Sequence, residues 1–271
     1  MPSTIALIIA ATWPVWLTPQ LRTGILQCLI SGFAALFVMF LARRQVPGLF
    51  REIPWAEVRG LLQIVLVGLV LAWLLHGPRW TSLLVLAAMV VAAASIVRQR
   101  ARKFPRPFTL ALAGVGAGAG SILCLMALTG VIPVKIAILI PVGSMVIANT
   151  MNTQALFLDR LHGEVTAHKG EIESALSLGA SAQTALTPYR AAAFHASLIP
   201  ALNNLRSLGI VWIPGIMAGM VLSGASPIYA ALYQFVVIAV IFAAAALTCL
   251  VTSRLVLRRL FSPYDQLMLR A

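Results

Sequence analysis

The side chains of this sequence that could do chemistry in an apolar setting are carboxamides and thioethers. In the run from Ile140 to Gln154, Met145, Asn149 and Asn152 recur at i, i+4 and i+7 and therefore share one helical face. An amide inside a membrane needs a partner, so this face meets another helix or a watery cavity; interhelical hydrogen bonding and a substrate path are both open readings. Met151, Pro214, Met217, Met220 and Gln234 are further path candidates. Methionine suits soft metal ions better than hard ferric iron. Cys28, Cys124 and Cys249 lie in separate apolar runs without a C-x-x-C pair, and His76, His162, His168 and His195 show no metal-ligand spacing.

A second group is polar. The interval from Asp159 to Pro200 holds four of the seven acidic residues, Asp159, Glu164, Glu171 and Glu173, with Arg160, Lys169 and Arg190. Its centre, E-I-E-S-A-L-S-L-G-A from Glu171 to Ala180, predicts a short helix, a stop at Gly179 and a second helix. Glu171 and Glu173 fall in the first turn, where the helix dipole favours negative charge.

The elements that must position these residues follow from composition. With 61% hydrophobic and 10% charged residues and a mean hydropathy of +0.96, the chain is an all-α, polytopic integral membrane protein, expected as a single membrane domain over residues 1–271. Seven spans are expected: Gly24 to Ala42, Gly60 to His76, Thr81 to Val97, Phe108 to Gly130, Ile132 to about Leu158, Leu205 to Gly224 and Ile228 to Ser253. The apolar stretch Ile5 to Leu17, interrupted by Pro14, reads as a flap on the outer surface, with an eighth crossing as its rival. The segment with Glu52, Pro54, Trp55, Glu57 and Arg59 reads as an interfacial amphipathic stretch.

Charge then sets orientation. If the polar interval, taken as a cytoplasmic segment over residues 159–204, faces inward, 17 of the 20 basic residues are cytoplasmic and only Arg22, Arg79 and Lys135 lie outside. That asymmetry places the amino terminus outside and the carboxy terminus inside. It also accounts for the net charge of +13 without a nucleic-acid partner. No span carries a carboxylate, which argues against ion-coupled secondary transport and for energy supplied from outside the membrane. The glycines Gly114, Gly116, Gly118 and Gly120 have no following lysine and no preceding strand, so they read as helix-packing positions rather than a phosphate loop. The chain contains no G-x-x-x-x-G-K-[ST], so it is not itself an ATPase of that class.

Four stretches carry a family resemblance. Glu173 to Ala180, followed by Leu198-Ile-Pro200, looks like the cytoplasmic coupling loop of ABC-transporter permeases. Ile140 to Met151 and Pro214 to Gln234 resemble the FetB-type iron-export permeases and the related plant aluminium-tolerance membrane subunits; the likeness covers roughly residues 27–259. It implies a non-enzymatic permease subunit of the inner (plasma) membrane, with no cofactor of its own and most naturally moving iron outward. ATP and magnesium would be bound by a separately encoded ATP-binding subunit, in a complex of two copies of each chain. Glu171, Glu173, Ala175, Leu176, Leu178, Gly179 and Ala180 would then engage that subunit, the apolar side chains entering a groove on it. A permease for an organic or sugar-nucleotide substrate, and a membrane scaffold without a transport path, are the alternatives.

Overall fold

Every backbone donor and acceptor within a bilayer must be satisfied internally, and a chain this apolar does so with helices. The structure is a computed structural model that describes residues 19–42, 47–74, 77–78 and 80–260. Its helices are α1 (Pro19–Ala42), α2 (Pro47–Leu74), α3 (Thr81–Arg100), α4 (Pro107–Val115), α5 (Ser121–Leu128), α6 (Ile136–Ala167), α7 (Lys169–Ser177), α8 (Ala182–Ser207), α9 (Gly215–Leu222) and α10 (Pro227–Leu260). A single π-helical turn, Gly116–Gly120, joins α4 to α5 without a break. Among the described residues, six helical segments are long and apolar enough to cross a membrane: Pro19–Leu41, Glu52–Val70, Thr81–Lys103, Pro107–Leu128, Ile136–Ala167 and Pro227–Leu260. The expected flap over residues 5–17 lies outside the described residues.

The chain divides into two compact units, Met1–Trp73 and Leu74–Ala271. In the first, the spanning windows of α1 and α2 bury none of their residues, and Phe33, Leu62, Ile64 and Leu69 are exposed. Such surfaces are stable only against lipid or another apolar face. The interfacial stretch around Trp55 is not a separate element. It runs straight into the second span as part of the 28-residue α2, with Pro54 inside the helix.

The second unit is a bundle built on α6 and α10. α6 packs against α8, α3 and α10, and α10 against α8, α9 and the α4–α5 helix. Leu110, Val146, Phe157, Leu158, Leu161, Val237, Ala244 and Val256 form its buried core. At 32 and 34 residues, α6 and α10 are about 48 and 51 Å long, well beyond the ~30 Å hydrocarbon layer. α6 therefore carries Asp159, Arg160 and His162 on a solvated extension, and α10 carries Arg254, Arg258 and Arg259 on another.

One expected span, Leu205 to Gly224, is not a single continuous helix. It is apolar enough to suggest a crossing, yet α8 ends at Ser207 and Gly209 takes φ +77°, a conformation that ends helices. Pro214 then caps the short helix α9 in an extended conformation. The eight residues of α9 rise only about 12 Å, too little to cross a bilayer.

Candidate functional site

The predicted helix, glycine stop and second helix are present as α7, Gly179 and α8. α7 closes with a Schellman motif: the Ala180 N–H donates to the Ala175 carbonyl and the Gly179 N–H to the Leu176 carbonyl, each at 3.0 Å. Gly179 sits at φ +89°, where any other residue would be strained. Ser181 then caps α8, its hydroxyl accepting the Thr184 N–H at 3.2 Å.

α7 is held down on one side and free on the other. Ile172 is 1% exposed, and Ala175 and Leu176 pack partly buried beside it against the core. Glu171, in the first turn, accepts a 2.8 Å hydrogen bond from the Tyr189 hydroxyl of α8. Donating to that carboxylate pushes the Tyr189 phenol above its ordinary pKa, and the hydroxyl is a donor at neutral pH. Glu173 forms an exposed pair with Lys169 at 3.5 Å, of small energetic worth. Leu178, at 88% exposed, is the apolar tip. Of the seven candidates on this segment, Glu171, Glu173, Leu178 and Gly179 are exposed, and Ala175, Leu176 and Ala180 are half-buried. Ile172, the anchor of α7, was not singled out in the sequence; its spacing of three and four residues to Ala175 and Leu176 is the signal that marks it.

The path candidates are distributed over three helices. On α6, Met145 and Met151 are partly buried against the core, Asn149 is partly buried and Asn152 is exposed. The Asn149 side-chain amide donates to the carbonyl of Met145, four residues back in its own helix, at 2.8 Å. Among the described residues this amide makes no hydrogen bond to another helix. Met217 and Met220 lie on α9, and Pro214 before it is buried. Gln234 on α10 is 1% exposed, and neither atom of its carboxamide has a hydrogen-bond partner among the described residues.

The amide that does link helices is Gln154, fully buried, which the sequence reading passed over. Its Nε2 donates to the Thr252 hydroxyl of α10 at 2.8 Å and to the Leu110 carbonyl of α4 at 3.2 Å. The glycines explain how three helices come so close. A Cβ on Gly114 would overlap the Gln154 amide and the Thr252 hydroxyl, and one on Gly118 would overlap the Thr248 side chain and come within 2.9 Å of the Ala244 carbonyl. Gly116 and Gly120 face open space or an ordinary contact. The expected small-residue packing is therefore carried by Gly114 and Gly118, four residues apart on one face.

A cleft of about 630 Å³ lies between α8 and α10, with Phe194, Phe242 and Leu250 as its apolar lining and Arg190, His195 and Arg254 as its polar one. The Arg190 guanidinium donates to the Ser253 hydroxyl across it at 3.0 Å. Among the described residues, no group of three or more His, Cys, Asp or Glu side chains is placed to hold a metal ion.

Comparison with known proteins places this architecture among relatives. A family model described as "Uncharacterised protein family (UPF0014)" matches residues 25–261. The UPF0014 membrane protein YjkA of Bacillus subtilis is 34% identical over 237 residues, which is 86% of this chain and 93% of YjkA. The probable iron export permease protein FetB of Escherichia coli is 26% identical over 230 residues, 84% of this chain and 89% of FetB. Protein ALUMINUM SENSITIVE 3 of Arabidopsis thaliana is 28% identical over 254 residues, 93% of this chain and 92% of that protein. No solved structure matches the chain.

Proposed function

From the premise that the chain belongs to the UPF0014 family of membrane proteins, we propose that it is the permease subunit of an ABC-type exporter, acting as one permease domain and driven by a separate ATP-binding subunit. The observation that carries this reading is α7. A nine-residue helix between two long ones, pinned on one face by Ile172 and Tyr189 and capped by Gly179, offers a rigid exposed knob of Glu173 and Leu178. A knob of this kind suits a groove on a partner. Closure of two ATP-binding subunits around ATP and magnesium would draw two such knobs together and tilt α6 and α8, which flank α7.

The chain lies in the plasma membrane with α7 on the cytoplasmic side, two copies pairing with two ATP-binding subunits. The substrate is a metal ion, iron by analogy with the name of the E. coli relative. Met145, Asn149, Met151, Asn152, Pro214, Met217, Met220 and Gln234 line or flank its path. The unpartnered buried amide of Gln234 supports this, because an unsatisfied polar group costs about 1–3 kcal/mol and is tolerated where a passing ligand can use it.

Reconstitution with the cognate ATP-binding protein tests the coupling. Glu173→Lys should leave insertion and folding intact and lower permease-dependent ATP hydrolysis severalfold; a normal rate would remove α7 from the mechanism. Cellular iron in a deletion strain, compared with an Asn149→Ala strain, tests the substrate. Unchanged iron in both would exclude it.

A further inference from the structure

The loop between α3 and α4 encloses a cleft of about 770 Å³ lined by Ser95, Arg98, Arg102, Phe104, Arg106 and Pro107 among others, with no carboxylate in its wall. Among the described residues, no acidic group pairs with Arg98, Arg102 or Arg106. Three guanidinium groups around one concavity repel one another unless an anion sits between them.

Arg106 is held in place at some conformational cost. It has φ 49° and ψ 61°, making it the one non-glycine residue at positive φ among the described residues. Its carbonyl accepts from Arg259 Nη1 at 3.3 Å, and the same nitrogen donates to Thr109 Oγ1 at 3.0 Å. α10 thereby clamps the turn that places Arg106 on the cleft, and α4 begins there with the positive end of its dipole.

The surface leading to the cleft is amphiphilic. Leu84, Ala88, Val91, Ser95 and Arg98 follow one another at three- and four-residue spacing along α3, with Arg102 in the turn just beyond it, all exposed. The stripe is apolar through Val91 and cationic from Arg98, which lies in the last turn of α3.

We propose that this cleft binds the phosphate-bearing headgroup of an anionic phospholipid, its acyl chains lying along Leu84, Ala88 and Val91. Guanidinium groups meet phosphate oxygens in bidentate pairs, and basic pockets at the ends of membrane helices are suited to such headgroups. An acidic segment of a protein partner would need no apolar stripe running into the bilayer, so the stripe selects lipid.

The test uses the purified full-length chain in nanodiscs that mix phosphatidylcholine with phosphatidylglycerol, reading retained lipid by native mass spectrometry after mild delipidation. Wild type should retain phosphatidylglycerol over phosphatidylcholine by about tenfold or more, and Arg98→Gln/Arg102→Gln should lose that preference. Arg106→Gly serves as the control for folding. Glycine accepts the positive φ, so the melting temperature should hold or rise while phosphatidylglycerol retention falls. Equal retention of the two lipids by wild type, or an unchanged preference in both variants, would overturn the proposal. Retention of inorganic phosphate without any lipid preference would make this a soluble-anion site and overturn it equally.

Discussion

Tyr189 donates a 2.8 Å hydrogen bond to the Glu171 carboxylate, and its ring stacks on His168 with centroids 4.8 Å apart. One side chain of α8 thus holds both the first turn of α7 and the residue that joins α7 to α6. The knob proposed to meet an ATP-binding subunit is fixed to the two helices it would move.

Tyr189→Phe keeps the stacking and removes the hydrogen bond. Amide exchange over residues 169–178 should quicken severalfold while exchange in α6 and α10 is unchanged. The folded-state phenol is raised above its ordinary range, so the bond is intact at neutral pH and is lost only as pH climbs through that raised value. Wild type and variant should therefore differ at neutral pH and converge only in strong alkali; identical exchange at neutral pH would show that the bond does not order α7.

Gly118→Val should destabilise the bundle by about 1–3 kcal/mol, because the added side chain meets Thr248 and the Ala244 carbonyl. Gly120→Ala, two residues on, meets nothing within 4 Å and should be tolerated. Thermal unfolding of the two variants in the same detergent checks the contrast, and equal melting temperatures would refute the packing assignment.

The Gln154–Thr252 pair should show a coupling of about 0.6 kcal/mol in a double-mutant cycle of Gln154→Leu and Thr252→Val, typical of hydrogen bonds between membrane helices. Asn149→Leu combined with the same Thr252→Val should be additive, since the Asn149 amide bonds the Met145 carbonyl of its own helix and not Thr252. Coupling of Asn149 rather than Gln154 to Thr252 would reverse the assignment.

Leu178→Glu alters an exposed tip without touching the core, so folding should be unaffected. Stimulation of a reconstituted ATP-binding subunit should nevertheless fall by about tenfold, the equivalent of losing roughly 1.4 kcal/mol of contact. Full stimulation would leave Leu178 outside the interface.

Much of this architecture was legible in the sequence, because lipid imposes simple rules. Length and hydropathy of each run identify helices that satisfy their own backbone, and Gly179 marks a helix end because only glycine takes its φ without strain. The Leu205 to Gly224 stretch misled for the same reason: hydropathy sums side chains and takes no account of the backbone turn at Gly209.

The sequence by itself determined that this is a helical membrane protein with a short, glycine-stopped helix between two long ones. Tertiary structure alone decided which polar and small residues meet. Gln154 rather than Asn149 joins helices, Gly114 and Gly118 rather than Gly116 and Gly120 allow the approach, and Ile172 rather than Leu178 turns inward. The periodicity of one helix defines its faces, but the neighbour each face receives depends on how whole helices cross, which is settled by contacts between residues far apart in the chain.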